Sequence, residues 1–508
     1  MLHDSPRSSR LHLPTMAALA DRFTVFAIDT PGYGNSDPLS GAAPTIGDFA
    51  KALGATLAKL GLTQAPLYAT HTSAKIALAY ASQQSTLPLL VLDGLSMPES
   101  MADESFIARY MRPFQPDASG AYLAGEWTRI RDMLRWFPWF SQTPEHRFAQ
   151  DMPDPAWMLD YTIDLFSAGP HYADAYAAAM RYDPMPALAC IATPTVVAAR
   201  TDDVLHPYLQ RASTCGNPMV TTRSIPADRE TWLAWLHDTL APHAIKAPTP
   251  PPPAGARRYT DHPHGLLHWT ISGTGAPWVV LSAPTTLHAH HWAAALQGTC
   301  YVPDLPGFGD SDPCQHAETI ARTLADGLHQ QGLRSAKVLA VGLAAPLAAM
   351  LAAYFQIDVL VVDGMPPLEQ ILRQEWTEKL APAIAFDPQA GHHLHRIWHI
   401  LRDGEAQWPW CNSQRAAIRK LPPLLDADGL HLALTGMLKH MGNWGDSVLA
   451  ALACDESIWR ALAVPVLAFA HADPAYAQAE WLGAACGARI INRPDTLADA
   501  AVALQEAL

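Results

Sequence analysis

The sequence is poor in charge, and the charge it has is short of the positive sign. Asp, Glu, Lys and Arg make up 16% of its 508 residues, with 34 basic side chains against 48 acidic ones and a net charge of −14. The basic residues form no runs, which excludes the electrostatic footprint of a nucleic-acid or anionic-membrane binder. No apolar stretch reaches the roughly 20 residues that a bilayer span requires. The opening Met1-Leu-His-Asp-Ser-Pro6 also lacks the basic start and apolar centre of a secretory leader. Seven cysteines are scattered, odd in number and without a C-x-x-C pair, which points to reduced thiols and a cytoplasmic protein. Nucleic acid and membrane are therefore excluded as partners. A small molecule remains, with self-association into a homo-oligomer left open. With 49% apolar residues the chain reads as globular, and its length suits two domains.

What is present in abundance is repetition. Asp29-Thr-Pro-Gly-Tyr-Gly-Asn-Ser-Asp-Pro38 returns as Asp304-Leu-Pro-Gly-Phe-Gly-Asp-Ser-Asp-Pro313, 304 − 29 = 275 positions on. An apolar run that reads as a strand enters each copy, 23–28 in the first and 299–303 in the second. Further along, 89–94 and 359–364 are apolar strands ending in Asp-Gly. Between them Trp127, Arg131-Asp132 and Phe137-Pro-Trp139 reappear as Trp398, Arg402-Asp403 and Trp408-Pro-Trp410, with 398 − 127 = 271. Helical stretches at 45–60 and 317–328 alternate with the strands, the pattern of βα units in a parallel sheet. The Trp-rich segments, about 100–185 and 370–455, read as inserted helical lids. Residues 247–256 are proline-rich and predict a semi-rigid linker, which sets the domains at 1–246 and 257–508. The second domain has strand-like runs at 265–271 and 277–281 for which the first has no counterpart. The first is expected to lack the opening strands of its sheet, either because the chain begins upstream of Met1 or because the second copy covers the edge.

In this order, and twice, the motifs resemble those of the α/β-hydrolase superfamily. The resemblance implies an α/β fold: two tandem α/β-hydrolase-like domains, each a mostly parallel sheet flanked by helices with an inserted helical lid. It also implies a nucleophile on a sharp strand-to-helix turn between small residues. Aligning small residue to small residue in Thr70-His71-Thr72-Ser73-Ala74 puts Thr72 there, with Ser73 as the alternative. The same alignment puts Ala344 at the second elbow, where no hydroxyl or thiol is available. The triad acid is expected at Asp203, matched by Asp473, with Asp93 and Asp363 as alternatives.

The loop after the last strand should hold a histidine, and neither copy has one. Glu230, His237 or His71 would have to take its place as the base. Oxyanion and substrate contacts are expected from the backbone at Ser73 and from the loop at His3 and Asp4, with Trp127 and Trp139 lining an apolar pocket. His395 and His399 have the i, i+4 spacing of metal ligands but no carboxylate follows in the zinc-protease pattern. Neither a metal nor a cofactor is expected. The function implied is hydrolysis of a small ester or related acyl substrate in the first copy beside an inert second one. The alternative is a catalytically inactive protein of this fold, binding a small apolar ligand or a protein partner.

Overall fold

The helix Ile46–Leu60 shows how local chemistry sets the elements. Thr45 caps its start, accepting from the Asp48 amide, while the Asp48 carboxylate accepts from the Thr45 amide, a reciprocal capping box. Gly61 ends it in the left-handed region. Phe49, Leu53 and Leu57 recur at helical spacing and are buried, and the helix packs against the helices His71–Ala81 and Asp174–Arg181.

The computed structural model describes residues 1–41, 43–83, 87–148, 151–249, 255–284 and 288–508. Its contacts divide the chain into two units, Met1–Gln115 with Glu126–Pro252, and Pro116–Gly125 with Pro253–Leu508. The division falls inside the expected linker, of which residues 250–254 lie outside the described residues. Residues 116–125, expected in the first lid, group with the second unit instead.

Among the described residues the first unit has a four-stranded parallel sheet: β1 (Leu67–Thr70), β2 (Leu90–Asp93), β3 (Thr195–Arg200) and β4 (Val220–Ile225), paired in that order. Beyond β1 only Leu2 continues the pairing, bridging both Ala69 and Ile28. The run 23–28, predicted as a strand, is reduced to that one bridge because its neighbour contributes a single paired residue.

The second unit has eight strands among the described residues: β5 (Arg257–His262), β6 (Gly265–Gly273), β7 (Pro277–Ser282), β8 (Thr299–Pro303), β9 (Ser335–Val341), β10 (Gln356–Asp363), β11 (Val466–Ala470) and β12 (Arg489–Asn492). Their spatial order is β5-β6-β8-β7-β9-β10-β11-β12, with β6 alone running against the rest. Both faces are covered. Val279 and Leu281 pack with Ile320, Leu324 and Leu328 on one side, and Trp278 and Val280 with Trp292 on the other. That is why these strands read as continuous apolar runs. The order and the single reversed strand are those of an α/β-hydrolase-like domain. The first unit has the part from β9 to β12, as β1 to β4.

The lids repeat in detail. A bridge between Trp136 and Arg147 recurs between Gln407 and Ile418, 407 − 136 = 418 − 147 = 271. Trp139 Nε1 donates to the Tyr110 carbonyl at 2.9 Å, as Trp410 Nε1 does to that of Leu380 at 2.9 Å. Each indole has found the partner that its buried N–H requires. No helix among the described residues is long and apolar enough to cross a membrane, and all seven cysteines are free.

Candidate functional site

β1 ends at Thr70, and a helix runs from His71 to Ala81. The residue at the turn is His71, with φ of 46°. Left-handed backbone strains any residue with a β-carbon, and such strain concentrates at functional positions. In the second unit the equivalent turn is Gly342, with φ of 54°, and 342 − 71 = 271 again. The nucleophile register expected from the small residues is therefore displaced in both copies. Thr72 lies one position into the helix and Ala344 two positions past the turn, because the chain reverses at the first residue after the strand. Small residues two before and two after His71, namely Ala69 and Ser73, were the signal that could have located the turn.

From the elbow, His71 Nε2 reaches Asp203 Oδ2 at 2.9 Å, across 132 residues of sequence. Asp203 follows β3 and also accepts from the Leu205 amide at 2.8 Å, which orients its carboxylate. Burial by itself would push His71 down. The hydrogen bond and charge of Asp203, with the charges of Asp4 and Asp93, outweigh it and hold the imidazole up at about 9. For Asp203 burial works upward, and the same pairing with His71 brings the carboxyl below its ordinary value. The raised His71 and the lowered Asp203 both favour the imidazolium–carboxylate form of the pair.

Gly94 makes room for this pair. It has φ of 73°, and a β-carbon there would lie 2.5 Å from His71 Cδ2, 2.7 Å from Nε2 and 3.1 Å from Asp203 Oδ2. Gly94→Ala is expected to push the ring off Asp203, return the His71 pKa toward its ordinary value and cost more than about 1 kcal/mol. A proton-NMR titration of the ring that still gives a value near 9 would contradict this account.

Asp93, ending β2, accepts from the Tyr68 hydroxyl at 2.8 Å and the Trp232 indole at 3.0 Å, and burial raises its pKa. A cavity of about 210 Å³ opens beside these groups. It is lined by Asp4, His71, Asp93 and Asp203, together with His12 and Thr15 from the N-terminal helices and Arg200, Arg229 and Trp232. Asp4 Oδ1 and His12 Nε2 are buried without a hydrogen-bond partner. His12 carried no sequence signal, since only the fold brings it beside β1.

The other expected residues lie elsewhere. His3 is fully buried between the Thr30 amide at 2.9 Å and the Asp4 carbonyl at 2.8 Å, tying two loops together. Ser73 Oγ pairs with Thr30 Oγ1 at 3.3 Å. Trp127 and Trp139 are absent from the cavity lining, and Trp139 is held by Tyr110. Of the stand-ins for the missing base, Glu230 is exposed and His237 pairs with Asp238 at 2.9 Å. Lys75 is buried and donates to the carbonyls of Ala179 and Tyr182 at 2.9 and 3.0 Å, latching the end of the lid helix Asp174–Arg181 to the elbow helix.

The second unit keeps both acids but surrounds them differently. Asp473 accepts from Arg419 at 3.2 Å and from the amides of Lys420, Leu421 and Ala475. Asp363 accepts from Arg493 at 3.0 Å, from Trp292 at 2.8 Å and from Tyr476 at 2.7 Å. Arg493 stands in the loop after β12, where the triad histidine was sought. A β-carbon at Gly342 would meet the Trp408 ring at 2.9 Å, so the lid indole fills the space of an elbow side chain. Among the described residues only His268, Asp304 and Asp310 bring three ligand atoms within 4.8 Å of one another. Asp310 there is paired with Lys439 at 2.6 Å, and Asp304 ties its loop through the Asp310 amide as Asp29 does through that of Asn35. Among the described residues His395 and His399 belong to no such group.

The strand order, the strand-turn-helix elbow and the acid after the penultimate strand define an α/β-hydrolase fold in the second unit, and the first unit repeats its last four strands. No protein-family model and no curated protein matches the sequence. Among solved structures, a malate-bound esterase from Thermogutta terrifontis is 21% identical over 48% of this chain and 89% of its own, with a TM-score of 0.37. A hydrolase from Pseudomonas aeruginosa PA01 is 19% identical over 50% and 96%, with a TM-score of 0.37. MenH from S. aureus is 16% identical over 48% and 92%, with a TM-score of 0.36.

Proposed function

We propose that the first unit is a non-covalent small-molecule-binding site built on a hydrolase scaffold, beside a second unit that is inert. One observation carries this reading: the turn that should present a nucleophile presents His71, ion-paired with Asp203 at 2.9 Å. A hydroxyl attack needs a base free to take the proton, and the imidazole beside Thr72 is tied to Asp203 and has its pKa raised to about 9. The inertness of the second unit is supported by Gly342 and Trp408 at its elbow and by arginines on both acids. A cytoplasmic setting fits the seven free cysteines.

Hydrolysis of a small ester is the second reading, favoured by the Thr72 hydroxyl in the first turn of the elbow helix. Incubation of the full chain with a fluorophosphonate probe and a panel of p-nitrophenyl esters, alongside Thr72→Ala, separates the two. The binding reading expects no labelling and no turnover above that of the variant. Labelling lost on Thr72→Ala would establish the hydrolase instead.

A further inference from the structure

Away from the elbow, the first unit has a second place for a ligand, and the repeat gives the shape that fits it. Leu2 bridges Ala69 in parallel as Leu281 of β7 pairs with Ala340, and 340 − 69 = 271. Leu2 and Met1 thus stand where Leu281 and Val280 stand in the second unit. There β7 also includes Pro277, Trp278 and Val279, which lie between Thr299–Tyr301 of β8 and Lys337–Val338 of β9. By the offsets of 275 and 271, the flanking residues in the first unit are Thr24, Val25 and Phe26 on one side and Pro66 and Leu67 on the other. All five line a cavity of about 270 Å³. We propose that this cavity is a strand-acceptor slot: it takes an extended apolar peptide segment, offered by another polypeptide and running parallel to β1.

The backbone calls for a strand rather than a shapeless apolar ligand. The Leu2 amide donates to the Tyr68 carbonyl at 2.9 Å, and the Leu2 carbonyl accepts from the Thr70 amide at 3.1 Å. Met1 N donates to the Phe26 carbonyl at 2.6 Å, and the Met1 carbonyl accepts from the Ile28 amide at 3.1 Å. Successive residues on this line bond alternately to β1 and to the 23–28 run, as in a strand held between two parallel neighbours. Continued along the slot, the alternation calls on the Tyr68 amide and Pro66 carbonyl, then on the Phe26 amide and Thr24 carbonyl. The ladder to β2 takes up the alternate residues of β1, starting from the Leu67 amide, and no backbone hydrogen bond among the described residues reaches these four groups. Unpaired backbone edges of this kind are what an added strand satisfies. The side chains around the slot are apolar and include Leu19 and Leu240; no acidic residue lines it, and its one charged side chain is the exposed Arg22. Val25 is half-buried where its counterpart Cys300 is wholly buried in one cluster with Trp278. β7, the strand of matching shape, is committed to the sheet of the second unit, so the occupant comes from another polypeptide.

Hydrogen–deuterium exchange of the full chain, read by mass spectrometry with and without the peptide Ala-Pro-Trp-Val, acetylated and amidated at its ends, tests this. The peptide carries the sequence of residues 276–279. At saturation it should slow exchange in segments 23–28 and 66–70 at least tenfold and leave 195–200 unchanged. Val25→Glu, on the cavity wall, should abolish the effect, and Ala65→Glu serves if that variant does not fold. The same peptide N-methylated at its valine keeps every side chain but cannot donate to the Pro66 carbonyl, and should protect much less. Protection by the methylated peptide or by octanoate equal to that of the parent would overturn the strand in favour of a plain apolar pocket. Absence of protection by any of them would overturn the slot itself. Segments already protected without peptide, in a chain that ultracentrifugation shows to be dimeric, would give the place to a second copy and overturn the foreign strand.

Discussion

Arg493→Leu is expected to destabilise the second unit by about 3–5 kcal/mol, the cost of stranding a buried charge. Arg493 and Asp363 are 3% and 1% exposed in their side chains and 3.0 Å apart. The guanidinium also lies over the rings of Trp292 and Phe469, at 5.4 and 5.7 Å, and donates to the carbonyls of Pro494 and Thr496. Leucine keeps some of the packing and none of the charge. Trp292 and Tyr476 remain as donors to Asp363, but neutral donors do not compensate a carboxylate removed from water. Denaturant unfolding of the full chain measures the loss, read on the transition that the substitution moves. Adding Asp363→Asn should recover part of it, because the orphaned charge goes with it. A loss below about 1 kcal/mol would mean that the pair contributes little to the stability of the folded unit.

Asp203→Asn is expected to lower the His71 pKa from about 9 toward its ordinary value of about 6.5. Burial is the largest influence on the ring and acts downward, so removing the carboxylate leaves it opposed only by Asp4 and Asp93. The consequence for stability follows from the sign. A histidine whose pKa is raised in the folded state contributes fully below pH 6.5, and the contribution is lost as the pH rises through 9. With the ring side chain 35% exposed, solvent screening reduces this to about 1–2 kcal/mol. Stability of the first unit should therefore fall between pH 6.5 and 9 in the native chain and change less over that window in the variant. A ring titration near 9 that survives Asp203→Asn would remove the ion pair from the account.

Much of this architecture is readable from residue order. The 275-residue return of the Asp-x-Pro-Gly motif and the 271-residue return of the Trp-rich segment reappear as matching elbows, lids and bridges. The strand before Asp203 was legible from its apolar run, and the helix at 46–60 because its cap chemistry is local. The elbow was legible only to within a residue or two. Thr70, His71, Thr72 and Ser73 present similar local propensities, and only the paired position of β1 in its sheet sets where the backbone must turn.

By itself, then, the sequence determined what depends on neighbours along the chain: the repeated motifs, the order of strands and helices, the missing histidine after the last strand and the lack of a hydroxyl at the second elbow. Tertiary structure alone decided what depends on groups far apart in sequence. It brought His71 onto Asp203 across 132 residues, buried His12 Nε2 without a hydrogen-bond partner, and set Arg493 on Asp363 across 130 residues. Burial and charge pairing are properties of a place in space. The same histidine or arginine takes its protonation state, and with it its chemistry, from what the fold puts around it.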